Sequence, residues 1–187
     1  MAIHRYPSDM ISQWRLKDGT EVLVRPLLPE DAEMEQRFVR QLSAQTRYFR
    51  FMSSLRELSP SLLTKLTQMD GEREMALIAT IELPVEQAGE IVGIEVEIGV
   101  CRYAAEPDGR SCEFAIVIAD AWQSAGLGRY LMTQLIGAAR SRGFKTMKGV
   151  FLASNERMLR FVQSMGFIVR KDPSDATMRH GELDLTL

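Results

Sequence analysis

Two glycines separated by one residue, Gly126 and Gly128 in the stretch QSAGLG, stand just after an apolar run and just before a long helical pattern. At such a junction the unpaired amides of a helix start point outward. The helix dipole adds about half a positive charge, so the loop can seat an anion such as a phosphate. Two familiar phosphate loops do not fit: a dinucleotide fingerprint would need a third glycine where Leu131 stands, and no Gly-Lys-Ser/Thr follows for a P-loop. The same glycines also suit a plainer reading, in which Gly126 ends one element and Gly128 lets a helix pack closely. Upstream, the titratable Glu113 opens the run EFAIVI. Strand alternation places its side chain on the face of Ala115 and Val117, opposite Phe114 and Ile116. Downstream, Asn155 stands where it can cap the next helix.

The elements that must position these residues alternate along the chain. EVLVRPL (Glu21 to Leu27) has β-branched alternation and leads into PEDAEMEQRFVRQ, whose Pro29, Glu30 and Asp31 suit a helix's first turn. SAQTRYFRFM and SPSLLTKLTQM each open on a serine able to accept from the free amides of a helical start, which predicts two short helices. Glu74 to Leu83, Glu90 to Tyr103 and Cys112 to Asp120 are rich in Val and Ile. They are separated by the turn-like PVEQAG and AEPDGR, so they read as three consecutive antiparallel strands. A helix from Gly126 to Arg142, a strand from Thr146 to Leu152 and a helix from Asn155 to Met165 follow, with FIVR and ELDLTL as closing strands. The expected class is α/β (α+β), a mixed, mostly antiparallel central sheet of about seven strands flanked by helices.

Composition bounds the function. The chain has 187 residues, 45% hydrophobic and 26% charged, with a formal net charge of −2. That is room for one sizeable core, without the basic excess of a phosphate-backbone binder, so no nucleic acid partner is expected. No apolar stretch reaches the roughly 18 to 20 residues that cross a bilayer, and no membrane partner is expected. The start, MAIHRYPSDM, has neither an apolar signal core nor a cleavage-like pattern, and Cys101 and Cys112 are the only cysteines, so a cytoplasmic chain with free thiols is expected. His4 and His180 sit near the two ends, which gives metal ligation or a histidine-based triad little footing, and no metal is expected. Cys112 beside Glu113 reads as a small buried strand residue rather than a nucleophile. Arg47, Arg50 and Arg56 form either a basic surface near an acceptor groove or a solvated helix face.

The wider pattern resembles the GNAT superfamily of N-acetyltransferases. The family signature is Gln or Arg, two residues, Gly, one residue, then Gly or Ala, matched at Gln123, Gly126 and Gly128; Asn155 followed eleven residues later by Gly166 and Phe167 matches the next segment. DGTEVLVRPLLPEDAEMEQRFVRQLSAQTRYFRF and MDGEREMALIAT are similar to the acetyltransferase domain of bacterial protein lysine acetyltransferases. The resemblance covers Trp14 to Leu187 and implies one GNAT-like domain over residues 14–187 after an N-terminal extension of residues 1–13.

It also implies acetyl-CoA as the acetyl donor. The pyrophosphate would rest on the backbone amides of Ser124, Ala125, Gly126, Leu127, Gly128 and Arg129, with Arg129 adding charge. Ile116, Val117 and Ile118 are the family-equivalent positions for pairing pantetheine along a strand edge, and Asn155 matches a cofactor-contacting position. From Glu113 to Ala119 is six steps, roughly 20 Å at about 3.3 Å each, comparable to a pantetheine arm.

In the lysine-acetylating relatives the glutamate matching Glu113 is the general base. Its ordinary value near 4.3 lies about six units below a lysine ammonium, on the order of 8 kcal/mol for direct transfer, so Glu113 must be raised, lower the amine jointly with the site, or work through water. A backbone amide near Ile116 or Val117 is the implied oxyanion donor. The tyrosine that often protonates the leaving thiolate is here Val162; Tyr103 and Tyr130 suit core packing better. The expected acceptor is a protein lysine, with the chain a monomer or homodimer. A small amine is the rival within the class, drawn by acids such as Glu30, Asp31, Glu33 and Glu35, and a silent acyl-CoA-binding sensor is the rival outside it.

Overall fold

The computed structural model describes residues 10–87 and 89–186. The extension expected over residues 1–13 lies outside the described residues up to residue 9, as does His4. The described elements are β1 (Ser12–Arg15), β2 (Glu21–Pro26), α1 (Ala32–Gln41), α2 (Ala44–Phe51), α3 (Pro60–Thr67), β3 (Glu74–Gln87), β4 (Glu90–Ala105), β5 (Ser111–Ile118), α4 (Leu127–Ser141), β6 (Thr146–Leu152), α5 (Glu156–Ser164), β7 (Ile168–Lys171) and β8 (Met178–Asp184). One eight-stranded sheet runs in the order β1-β2-β3-β4-β5-β6-β8-β7. Every pairing is antiparallel except β5 with β6.

The sheet has one strand more than the seven expected. SQWR is four residues long, two of them polar and one an exposed arginine, so β1 carries too short an alternation to stand out. PVEQAG is not a plain turn. Strands β3 and β4 stay paired out to Gln87 with Glu90 and turn at Gly89, where φ is +84°. Pro84 is tolerated in this ribbon because β2 pairs with β3 only as far as Thr80, which leaves an open edge facing the missing N–H. The helix expected from Gly126 to Arg142 begins one residue later, with Gly126 outside it as a left-handed cap at φ +91°. The last strand starts earlier than ELDLTL, at Met178, and pairs through to Asp184.

The two serine-capped helices form as expected: Thr46 N–H donates to Ser43 Oγ at 3.1 Å, and Leu62 N–H donates to Ser59 Oγ at 3.3 Å. Their apolar residues join those of α1, Val100 and Val117 in a core on one face of the sheet. The opposite face is larger and is built around α4, whose Leu127, Leu131 and Leu135 recur every four residues and are fully buried with Met132 and Ala139. Each such leucine contributes about 1.5–3 kcal/mol by leaving water. Alternation along β5 then has a fixed meaning: Cys112, Phe114 and Ile116 enter the α4 core, and Val117 enters the other.

A cleft between diverging strands

Strand β5 pairs with β6 at only three positions, Ser111 with Thr146, Cys112 with Met147 and Glu113 with Lys148. Beyond Glu113 the strands separate, so residues 114–118 keep one edge unpaired on the β6 side. An unpaired strand edge presents N–H and C=O groups that an extended ligand can bond. A cavity of about 670 Å³ follows this edge toward the start of α4.

At the cavity's far end the chain turns through left-handed Ser124, φ +65°, and Gly126, φ +91°. Gly126 caps α4 with no side-chain acceptor for the first helical amides, so these face outward without an intrahelical partner. The two glycines separate physically. A Cβ on Gly126 would be conformationally strained and would lie 3.4 Å from the Trp14 ring. On Gly128 it would meet Ile118 at 3.7 Å and Phe161 at 3.9 Å, ordinary contact, so helix packing does not require glycine there.

Of the sequence-derived site residues, Ile116, Val117, Ile118, Gln123, Ser124, Gly126, Gly128, Arg129 and Asn155 line this cavity. Leu127 is instead fully buried and Ala125 packs on the α4 core, so only their backbones are available. Asn155 caps α5, accepting from Met158 N–H at 3.2 Å. Gln123 is engaged within the protein, donating to the Ile118 carbonyl at 3.0 Å and accepting from Arg157.

Arg157 is not among the site residues expected from the sequence. Its guanidinium lines the cavity and donates to Gln123 and, at 2.8 Å, to Ser124 Oγ. Arg129 turns instead toward α5, donating to Ser164 Oγ at 2.7 Å. Asp120, at the end of β5, accepts from Ser43 N–H, Ser43 Oγ and Thr46 Oγ1 at 2.7–2.9 Å, tying α2 to the glycine loop. Burial raises its carboxyl, but these hydrogen bonds outweigh burial and hold it below the usual range.

Glu113 lies outside the large cavity and lines a second one of about 270 Å³ with Glu74, Glu106, Lys65 and Arg102. Partial burial raises its carboxyl above the ordinary range and Glu106 adds to the rise, while His180 and Arg50 oppose it. Arg50 lines the large cavity, and burial lowers it to about 10, still charged near neutrality. Arg47 is structural, donating to the Leu42 and Leu55 carbonyls.

The acids expected at the acceptor groove are largely elsewhere. Asp31 binds Arg25 at 2.7 Å, and Glu35, only 1% exposed, binds Arg102 at 2.7 Å inside the protein. Glu97 lies buried beside that pair, with neither carboxyl oxygen hydrogen-bonded to a described residue. Burial pushes its carboxyl well up, and Glu35 pushes it further. Both thiols are buried and raised to about 12, so neither cysteine is a nucleophile. Tyr103 is in the core, and Tyr130 stacks on Trp14 with its hydroxyl on Ser12 Oγ.

The pattern of the Acetyltransferase (GNAT) family matches residues 52–167. Acetyltransferase PA5475 of Pseudomonas aeruginosa is 41% identical over 162 residues, 87% of this chain and 83% of that protein. Acetyltransferase Pat of Mycolicibacterium smegmatis is 26% identical over 160 residues, and the match spans 45% of its length. Among solved structures, the GNAT domain of S. lividans PAT superposes with a TM-score of 0.81 at 24% identity, covering 96% of this chain and 99% of that domain. A cAMP-binding acyltransferase from Mycobacterium smegmatis gives a TM-score of 0.60 at 22% identity, covering 98% of this chain and 50% of that one.

Proposed function

The chain belongs to the GNAT family of acetyltransferases, N-acyltransferases that draw on an acyl-CoA donor, and from that premise we propose that it moves acetyl from acetyl-CoA to a protein lysine by direct attack. The observation that carries this reading is the end of the β5–β6 ladder at Glu113 and Lys148. It leaves a cleft with the glycine loop at one end and Glu113 toward the other. A phosphate on the α4 amides and pantetheine along residues 116–118 would direct the thioester back toward Glu113. Gly128 supports a ligand-side reason for glycine, since its neighbours would accept a Cβ.

Glu113 is the proposed general base. Its raised carboxyl narrows the gap to the acceptor ammonium, and its neighbour Glu106 gives the site negative charge that attracts a cation. With Val162 in place of tyrosine, the departing thiolate takes its proton from water. The resemblance of DGTEVLVRPLLPEDAEMEQRFVRQLSAQTRYFRF and MDGEREMALIAT to bacterial protein lysine acetyltransferases supports a lysine acceptor. The acidic second cavity also suits a small amine, which is the second reading. Labelled acetyl-CoA with a cell lysate, followed by mass spectrometry, tests both. Labelled lysines support the first reading, labelled metabolites the second, and no label in either overturns both.

A further inference from the structure

The face of the sheet that carries Glu113 is covered by helices only over part of its width. No residue of β6, β7 or β8 joins the core beneath α1, α2 and α3. On the opposite face, a Cβ at Gly181 would lie 2.8 Å from Phe151 and 3.5 Å from Phe167, so Gly181 points into the α4 core and its neighbour His180 points away from it. Glu113 likewise points away from Phe114. His180 and Glu113 therefore project from the same face of the sheet, Glu113 at the border of its helix-covered part, and the imidazole acts electrostatically on the carboxyl.

The imidazole is held. His180 Nε2 lies 2.5 Å from Asp172 Oδ2. Asp172 is itself fixed, its other oxygen accepting from Ser174 N–H at 2.7 Å, Ser174 Oγ at 2.6 Å and Asp175 N–H at 2.9 Å. The Ser174 hydroxyl, then His180, keep its carboxyl well below the usual range, so it stays ionised. An ionised carboxylate on Nε2 selects the tautomer protonated there and leaves Nδ1 as the basic nitrogen. Nδ1 has no hydrogen-bond partner among the described residues. Other charged groups facing this pair are Arg170 of β7, paired with His180, Lys148 of β6, Glu182 and Asp184 of β8, and Glu106 and Arg50 beside Glu113.

We propose that His180, oriented by Asp172, is a second proton acceptor on the acceptor face and works with Glu113 in amine acetylation. This rests on the transferase reading above. An acceptor arrives as an ammonium and must lose two protons. His180 Nδ1 takes the first through water, giving the neutral amine. Its lone pair then forms the C–N bond to the thioester carbonyl. Glu113 takes the second proton, the C–S bond breaks to the thiolate, and the thiolate is protonated by water while both bases return their protons to solvent. Two groups on this face then share the proton removal that Glu113 would otherwise carry alone.

The test uses the full chain with a pool of lysine-containing peptides and thiol release as the readout. His180→Gln should slow release about 100-fold. Asp172→Asn should fall between it and wild type, and added imidazole should restore part of the His180→Gln rate. Acetyl-CoA binding by calorimetry should be unchanged in both, which a folding defect would not allow. Without any acceptor, the NMR resonances of the His180 ring should shift in Glu113→Gln, because a negative neighbour has gone. A wild-type rate in His180→Gln, or ring resonances indifferent to Glu113, overturns the proposal. A wild type that releases no thiol with the pool counts against the lysine acceptor, and the ring resonances still decide the pairing.

Discussion

Glu113 and Lys148 are the last paired residues between β5 and β6, and the space beyond them is the cleft. This register puts a carboxylate raised by burial and by Glu106 where the strands part. Glu113→Gln should lower kcat/KM by about 10²- to 10⁴-fold, the usual worth of a positioned base. Acetyl-CoA affinity measured by calorimetry should stay close to wild type.

The raised carboxyl also sets a pH limit. A base works deprotonated, so activity falls on the acid side as Glu113 gains its proton, and the fall comes at a higher pH than for an ordinary glutamate. Removing the charge of Glu106 should lower the Glu113 carboxyl. In Glu106→Gln the acid limb of kcat/KM should therefore move to lower pH, and an unmoved limb would detach Glu113 from the rate.

The glycine loop separates backbone strain from ligand approach. Gly126→Ala places a Cβ at φ +91° against Trp14 and should cost on the order of 1–3 kcal/mol, read as a lower Tm. Gly128→Ala meets only ordinary contacts and gains helix propensity, so its Tm should hold or rise by up to about 1 kcal/mol equivalent. The bulkier Gly128→Trp should lose acetyl-CoA binding. Full binding by that variant would remove the ligand-side reason for glycine at 128.

Arg157 and Arg129 exchange the roles that their positions in the chain suggest. Arg157 reaches over to Ser124 and Gln123, whereas Arg129 is turned to Ser164. Losing a charge-assisted bond is worth about 1.5–3 kcal/mol, so Arg157→Ala should weaken acetyl-CoA binding by about tenfold or more, and more steeply at low salt. Arg129→Ala should have the smaller effect in the same titration.

What was legible in the chain was local. The Val and Ile runs gave β3, β4 and β5 in antiparallel order, the serines gave α2 and α3, and QSAGLG gave a loop before α4. What was not legible depends on which distant elements meet. His180 sits near the end of the chain, which argued against a role, yet β8 inserts between β6 and β7 and carries it onto the face of Glu113. Glu35 lies in a helical stretch dense with charge, and only packing against β4 shows that it is interior. Arg157 sits in an amphipathic pattern whose polar side gives no sign of what it faces.

The buried trio on α1 and β4 yields a prediction about stability rather than rate. Glu35, Glu97 and Arg102 bring two carboxyl groups to one guanidinium in a place with little water, and both Glu97 oxygens lack a hydrogen bond among the described residues. Burial, and then Glu35, raise the folded carboxyl of Glu97 well above the ordinary range. In the unfolded chain it titrates normally. The folded state then binds the extra proton, so its stability is fully present below the unfolded value and declines as pH rises from there through the folded value. Glu97→Gln keeps the shape without the titration. It should flatten this decline and raise Tm above wild type on the alkaline side, while leaving acid stability nearly unchanged. Arg102→Ala should act in the opposite sense, stranding Glu35 without its partner at a cost of about 3–5 kcal/mol. Thermal melts from pH 5 to 9 distinguish the two variants, and a Glu97→Gln curve parallel to wild type would mean that Glu97 is not the group that titrates.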